Sequence, residues 1–166
     1  SIKPDDFLNK ITLPEGFKIE VYAEKLGGTR ISKPGPNPGP RMMEFHNGIL
    51  FVSIPSQGRV VVLPDKDKNN RADGIITVIE NLKNPHGITF YQDWLYIAEE
   101  NRITRVKDVN NDLKSDLNTL EVLINDLPTG DHFTRTIKIQ NESLYISVGS
   151  SCNVCNETNM FRAKIL

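Results

Sequence analysis

Three stretches of this chain align without gaps: Phe45-His-Asn-Gly-Ile-Leu50-Phe-Val-Ser53, Phe90-Tyr-Gln-Asp-Trp-Leu95-Tyr-Ile-Ala98 and Ile139-Gln-Asn-Glu-Ser-Leu144-Tyr-Ile-Ser147. Each is an apolar residue, a polar turn, then leucine, an aromatic, an aliphatic and a small residue. The leucines stand 45 and 49 residues apart. A repeat of that length demands an array of like units. The turns, Asn47-Gly48 most clearly, read as two-residue hairpins between strands.

The units continue in register. A third strand follows at Arg59–Leu63, Arg102–Val106 and Arg162–Leu166, and a fourth at Ile75–Ile79 and Leu120–Ile124. The third unit stops before its fourth strand. Helical periodicity is weak; Asp6–Lys10 is at best a turn of helix. Four short strands per unit identify an all-β chain with β-propeller blades. The expected bodies are 40–82, 85–127 and 131–166, the last incomplete. Closed propellers have about four to eight blades, so 166 residues supply only part of a ring, about three blades. Phe17–Leu26 resembles the fourth strands and has no partners before it, which suits a lone outer strand (17–26) closing the ring against a later blade. Pro34–Pro40 reads as a stiff loop leading into the first blade.

A net charge of −1 without a basic block argues against nucleic acid, whose backbone needs clustered Lys and Arg. No apolar run approaches the ~20 residues of a membrane span. The polar Ser1–Phe7 stretch is no signal peptide, which leaves a cytosolic chain or a processed, exported one.

Aligning the leucines puts Arg41, His86 and Arg135 at one equivalent place, where the innermost strand of each blade begins. Three cationic or ionisable groups converging on the axis would attract an anionic ligand, with bidentate contacts from Arg; the competing reading is three loop residues with local hydrogen bonds. Asp131-His132 lies on the same rim. A histidine there suits a general base that Asp131 could orient, or a hydrogen-bonded turn residue. Asp65-x-Asp67-x-Asn69-x-x-x-Asp73 and Asp108-x-Asn110-x-Asp112-x-x-x-Asp116 look like calcium loops. They lack the EF-hand glycine and glutamate, and Asx turns explain them. Cys152-x-x-Cys155 can be a disulfide, a redox pair or half a zinc site. No second Cys/His pair accompanies it, and the residues after it start a helix poorly. A local staple or two reduced thiols is therefore preferred.

The segment Leu127-Pro-Thr-Gly-Asp131-His132, the strand Leu144–Gly149, the turn Ser150–Cys155, the closing Arg162-Ala-Lys-Ile-Leu166, Leu13-Pro-Glu-Gly-Phe-Lys-Ile and Asn84-Pro-His-Gly87 together resemble the glucose/sorbosone dehydrogenases. These are quinoproteins that use pyrroloquinoline quinone (PQQ). The resemblance covers the N-terminal half of a family member. It implies a six-bladed propeller with PQQ across one face. It implies that His132 takes the C1 hydroxyl proton of an aldose while hydride passes to the quinone, Asp131 assisting. Ser150 and Ser151 match a polar contact to cofactor or substrate, and serines there resemble the sorbosone-type branch. Arg135 and His86 are further cofactor contacts from the repeat alignment. The basic residues that grip the quinone, and the Ca²⁺ site, would lie beyond Leu166, so no metal ligand is expected within the chain. An electron acceptor and the remaining blades complete the implied partners, and an extracellular or periplasmic setting would suit a Cys152–Cys155 bridge. The alternatives are a non-enzymatic propeller binding protein or glycan on its top face, and a lactonase-type hydrolase. The latter needs inward Asn, Asp and Glu where this chain has Arg41, His86 and Arg135.

Overall fold

Alternation of apolar and polar side chains on short runs separated by Asx-rich turns leaves β-sheet as the structure that buries one side of every run. The computed structural model describes Leu8, residues 10–27 and residues 39–166. The turn at Asp6–Lys10 and the Pro34–Pro40 loop fall largely outside the described residues. Strands β1 (Met43–His46), β2 (Ile49–Ile54), β3 (Arg59–Leu63) and β4 (Ile76–Ile79) form one antiparallel sheet in chain order. Strands β5 (Ile88–Tyr91), β6 (Trp94–Ala98), β7 (Ile103–Val106) and β8 (Glu121–Ile124) form a second, and β9 (Ile137–Gln140), β10 (Ser143–Val148) and β11 (Lys164–Ile165) a third. The strand expected at Arg162–Leu166 is shortened to two residues. Ala163 takes a φ of +52°, and Arg162 turns its side chain away into a loop described below.

All three β1–β2-type hairpins have the same turn. The central pairs Asn47/Gly48, Gln92/Asp93 and Asn141/Glu142 all hold positive φ, as a two-residue type I′ connection requires. Cα partners follow suit: Phe45 faces Leu50, Phe90 faces Leu95 and Ile139 faces Leu144.

The sheets stack face to face, as propeller blades do. Phe51, Val60, Val62 and Val78 of the first sheet pack on Ile88, Leu95, Ile97 and Val106 of the second. The opposite faces of β6 and β7 contribute Tyr96, Ala98 and Ile103 to a second core with Ile137, Ile146 and Val148. A strand buried on both faces cannot alternate, and so β3 reads Val-Val-Val-Leu with every one of these residues at most 1% exposed. Each such burial contributes about 1.5–3 kcal/mol. Residues 17–26 differ from the strand expected there and form no ladder. They lie instead on the outer face of the first sheet, where Tyr22, Ala23 and Leu26 cover Val52, Ile54, Val61 and Leu63. Tyr22 Oη donates to the Leu63 carbonyl at 3.1 Å, and Ala72 N donates to the Tyr22 carbonyl at 2.8 Å. Side-chain cover, rather than backbone pairing, is what an exposed apolar sheet face needs.

The innermost strands β1, β5 and β9 are neighbours. Ser53 Oγ donates to the His86 carbonyl at 2.6 Å, and Gly87 N to the Arg135 carbonyl at 2.7 Å. A Cβ at Gly87 would run into Arg135 O and lie 2.9 Å from Ile137 N. Only glycine lets successive blades approach this closely.

Candidate functional site

The segment joining β8 to β9 crosses from one blade to the next and carries Asp131 and His132. Its start is tied down by Leu127, which is buried and whose N–H donates to the Asn101 carbonyl at 2.9 Å. Gly130 then takes a φ of +114°, which glycine alone adopts readily, and its N–H donates to Glu100 Oε1 at 2.9 Å. Two arginines hold the rest through its backbone carbonyls. Arg135, fully buried, donates to the carbonyls of His132 (3.1 Å), Thr134 (2.9 Å) and Pro128. Arg162, 5% exposed, donates to those of Thr129 (2.5 Å) and Asp131 (3.0 Å), and across to Ser150 (3.2 Å) and Gly149 (3.5 Å).

His132 stands on this frame with its ring exposed and a φ of +53°. Its Nδ1 is 3.0 Å from the Ser150 carbonyl, and its Nε2 is 2.9 Å from Asn153 Oδ1. A carbonyl oxygen only accepts, so Nδ1 carries a proton. In the neutral ring the lone pair is then on Nε2, where the Asn153 amide can meet it with its NH₂ group, the amide's orientation being free to invert. Gly149 lies beneath: a Cβ there would come within 2.9 Å of His132 O and 3.0 Å of its Cβ.

The other residues singled out from sequence fall in three environments. Arg41, His86 and Arg135 do occupy equivalent places: Ser53 N, Ala98 N and Ser147 N donate to the carbonyls of Met42, Gly87 and Thr136, each one residue further along. They are not three cations on an axis. Arg41 is exposed. His86 is buried, and its Nδ1 is 3.1 Å from the Arg135 carbonyl. Burial first, and then the charges of Arg41 and Arg135, push its pKa down against the opposing hydrogen bond to the Arg135 carbonyl, so it is a neutral ring at pH 7. Arg135 spends its guanidinium on the loop. Burial, reinforced by Arg162, lowers its pKa while Glu100 opposes; an arginine remains charged regardless. Asp131 does not orient His132. Among the hydrogen bonds of the described residues its carboxylate makes none, and the Ser150 carbonyl does that work. The Ser150 hydroxyl turns inward, donating to Glu157 Oε1 at 2.6 Å and also 2.6 Å from the Cys152 carbonyl. Ser151 N donates to the same Glu157 oxygen at 2.5 Å, and Ser151 Oγ lies 3.6 Å from Cys155 Sγ. These bonds hold the Glu157 carboxyl below its ordinary range. Cys152 and Cys155 are joined in a disulfide.

Sequence reasoning missed Glu100, Gly149, Asn153, Glu157 and the role of Arg162. Glu100 adjoins Glu99, which is also buried and is held by Arg102 Nε at 2.5 Å and Lys83 N at 2.6 Å. Two adjacent acids closing a Leu-Tyr-Ile-Ala strand were the available signal, because acids are buried only when paired. The two Asp-rich turns close on themselves: Asp65 and Asp108 each accept two backbone N–H groups, from Asn69 and Asn70 and from Asp112 and Leu113. Among the described residues no group of three or more His, Cys, Asp or Glu is arranged around a metal position, and no helix is long and apolar enough to cross a membrane. A cavity of about 250 Å³ between the first two sheets is lined by His46, Phe51, Phe90, Asp93 and Asp108. These lie at the hairpin turns and at the β7–β8 loop, the opposite end of the sheets from His132.

Glu100 and His86 make the frame acid-sensitive. Burial raises the Glu100 pKa, but the Gly130 N–H, Asn84, Lys83 and Arg135 together outweigh it and hold the group below the ordinary 4.5. Both folded-state values are lower than the unfolded ones, so each contribution is present at neutral pH and lost on acidification. Stability should begin to fall as pH drops below 6.5, the ordinary histidine value. Hydrogen-exchange protection at Gly130 should weaken below about pH 4.5. Protection unchanged down to pH 3 would contradict the assigned role of Glu100.

The family model for the domain of unknown function DUF7133 matches residues 41–163. An uncharacterized protein of Borreliella burgdorferi is 25% identical over 165 residues, covering 93% of this chain and 39% of its own length. Among solved structures, the holo form of the pyranose dehydrogenase PQQ domain from Coprinopsis cinerea superposes with a TM-score of 0.65 at 21% identity, covering 76% of this chain and 32% of that one. The iodide structure of a Trichoderma reesei enzyme of carbohydrate-active family AA12 gives 0.60 at 22% identity, covering 69% and 31%. The likeness is one of fold, that of a β-propeller, and the chain spans well under half the length of each of these relatives.

Proposed function

The chain belongs to the DUF7133 family, and from that premise we propose that it is part of a PQQ-dependent oxidoreductase that oxidises an aldose at its C1 hydroxyl. The observation that carries this reading is His132: an exposed imidazole whose tautomer is set by the Ser150 carbonyl at 3.0 Å, on a fold shared with PQQ domains. A base needs its lone pair on the outward nitrogen, and a carbonyl bonded to Nδ1 leaves it on Nε2. The residues present fit a carboxylate-bearing quinone in kind. The Arg41 guanidinium is exposed at the start of the first blade. The Arg135 Nε is a buried donor that no acceptor meets among the described residues, and the hydrogen bonds of its guanidinium go to neutral carbonyls. Arg41 would hold the group, with further basic contacts and a Ca²⁺ site from the rest of the full-length protein. When bound, PQQ supplies the hydride acceptor.

The chain's own residues then divide the work. His132 Nε2 takes the hydroxyl proton. The Ser150 carbonyl steadies the resulting imidazolium, and Arg135, Arg162 and Glu100 keep the loop from drifting. Ser151, exposed, remains available for a polar contact to the sugar, whereas Ser150 contributes through its carbonyl. The sorbosone-type assignment rests on these serines. The disulfide fits an extracellular or periplasmic setting. In the test, PQQ is titrated into the full-length protein with and without Ca²⁺, followed by an aldose and an artificial electron acceptor. Saturable change in quinone absorbance with sugar-dependent turnover is expected. Absence of quinone binding would overturn the assignment in favour of a non-enzymatic propeller.

A further inference from the structure

We propose that Asn153 is a positioning residue that receives the substrate hydroxyl jointly with His132, and that the Cys152–Cys155 bridge holds it in place, so that reducing the bridge turns the site down. The inference rests on the reading of His132 as the base. Asn153 lies inside the small ring that the disulfide closes, and its amide is 2.9 Å from His132 Nε2. The ring is anchored at one end, where Cys152 N donates to Ser150 Oγ at 3.2 Å and Ser150 Oγ donates to Glu157. Glu157 closes the base of the loop on the far side, accepting from Ser150 Oγ at 2.6 Å and Ser151 N at 2.5 Å, but among the hydrogen bonds of the described residues none holds the backbone of 153–156. Val154 is 96% exposed, and residues 153–156 are all exposed. Ordering exposed loop residues costs as much as a single hydrogen bond to an exposed partner returns. The Asn153–His132 bond therefore needs the covalent closure.

An amide is suited to the exchange this requires. As a sugar hydroxyl arrives, it donates to Nε2 and accepts from the Asn153 NH₂, replacing the bond between the two side chains without leaving either unpaired. Opening the bridge needs a dithiol reductant. Two electrons and two protons pass to the Cys152 and Cys155 sulfurs, the S–S bond breaks, two S–H bonds form, and the reductant becomes a disulfide. The freed loop then no longer holds Asn153 against His132. Cys155 is exposed, which leaves the bridge open to such a reagent.

The test compares the full-length protein, oxidised and treated with dithiothreitol, with the Asn153→Ala and Cys152→Ser/Cys155→Ser variants. The first readout is the ring ¹⁵N resonance of His132, which does not depend on turnover. Reduction, the double serine variant and Asn153→Ala should move the Nε2 resonance alike, and dithiothreitol should have no effect on it in Asn153→Ala. The second is steady-state kinetics. KM for the sugar should rise roughly tenfold in all three, the scale of one lost hydrogen bond, with kcat changed far less. A resonance indifferent to reduction overturns the inference, as does a loss confined to kcat. If the resonance moves as stated but no sugar is oxidised, the functional reading fails while the disulfide-held Asn153–His132 contact stands. If sugar is oxidised and the resonance is indifferent, the reverse holds.

Discussion

Replacing His132 by Asn in the full-length protein should lower kcat/KM for aldose oxidation at least ~100-fold, the lower end of what removing a general base costs, with the unfolding free energy changed by less than about 1 kcal/mol. Asn is the informative substitution. At a φ of +53° it is among the side chains that tolerate a left-handed backbone, whereas Ala would add strain unrelated to proton transfer. The ring is exposed and its two bonds go to Ser150 O and Asn153. Its carbonyl, which Arg135 binds, survives the change. Rate should therefore collapse while the frame stands. Turnover by His132→Asn at the parent rate would remove the histidine from the chemistry and, with it, the proposed reaction.

Replacing Arg135 by Met should destabilise the protein by about 3–5 kcal/mol, the range for breaking a buried charged network from one side. The side chain is fully buried, and its loss would strip hydrogen bonds from the carbonyls of Pro128, His132 and Thr134 together. Glu100 would also lose a neighbouring positive charge. Lysine should rescue only a fraction, because one ammonium cannot reproduce a planar fork reaching three acceptors. Arg41→Met, at the equivalent place on the first blade, should cost less than about 0.5 kcal/mol because that side chain is exposed. Denaturant unfolding of the three variants decides the matter: similar midpoints for Arg41→Met and Arg135→Met would contradict the assigned roles.

That pair shows how far the sequence reaches. The leucine alignment located Arg41, His86 and Arg135 correctly to the residue. It could not tell that one faces solvent, one is a neutral buried ring and one is a loop clamp, because those fates depend on what the next blade lays over each strand start. The hairpins were legible because their geometry is local: two residues with positive φ between alternating runs. Phe17–Leu26 was apolar enough to announce that it is covered or covering, but not which. A ladder and a face-packed segment present the same pattern, and the choice was made by the uncovered side of Val52, Ile54, Val61 and Leu63.

Within the site the same division holds. Asp131-His132 drew attention as neighbours, yet adjacent side chains diverge, and the groups that orient the histidine come from 18 and 21 residues away. Glu100 reaches Gly130 across 30 residues, and Arg162 reaches Thr129 across 33. By itself, then, the sequence determined the period, most of the strands and the rim shared by Arg41, His86, His132 and Arg135, since these follow from spacing along one chain. Only the tertiary structure decided which rim residues are exposed and which are scaffolding. That distinction is set by burial and by which carbonyl or carboxylate lies within 3 Å, quantities that exist only after three separate blades have been brought side by side.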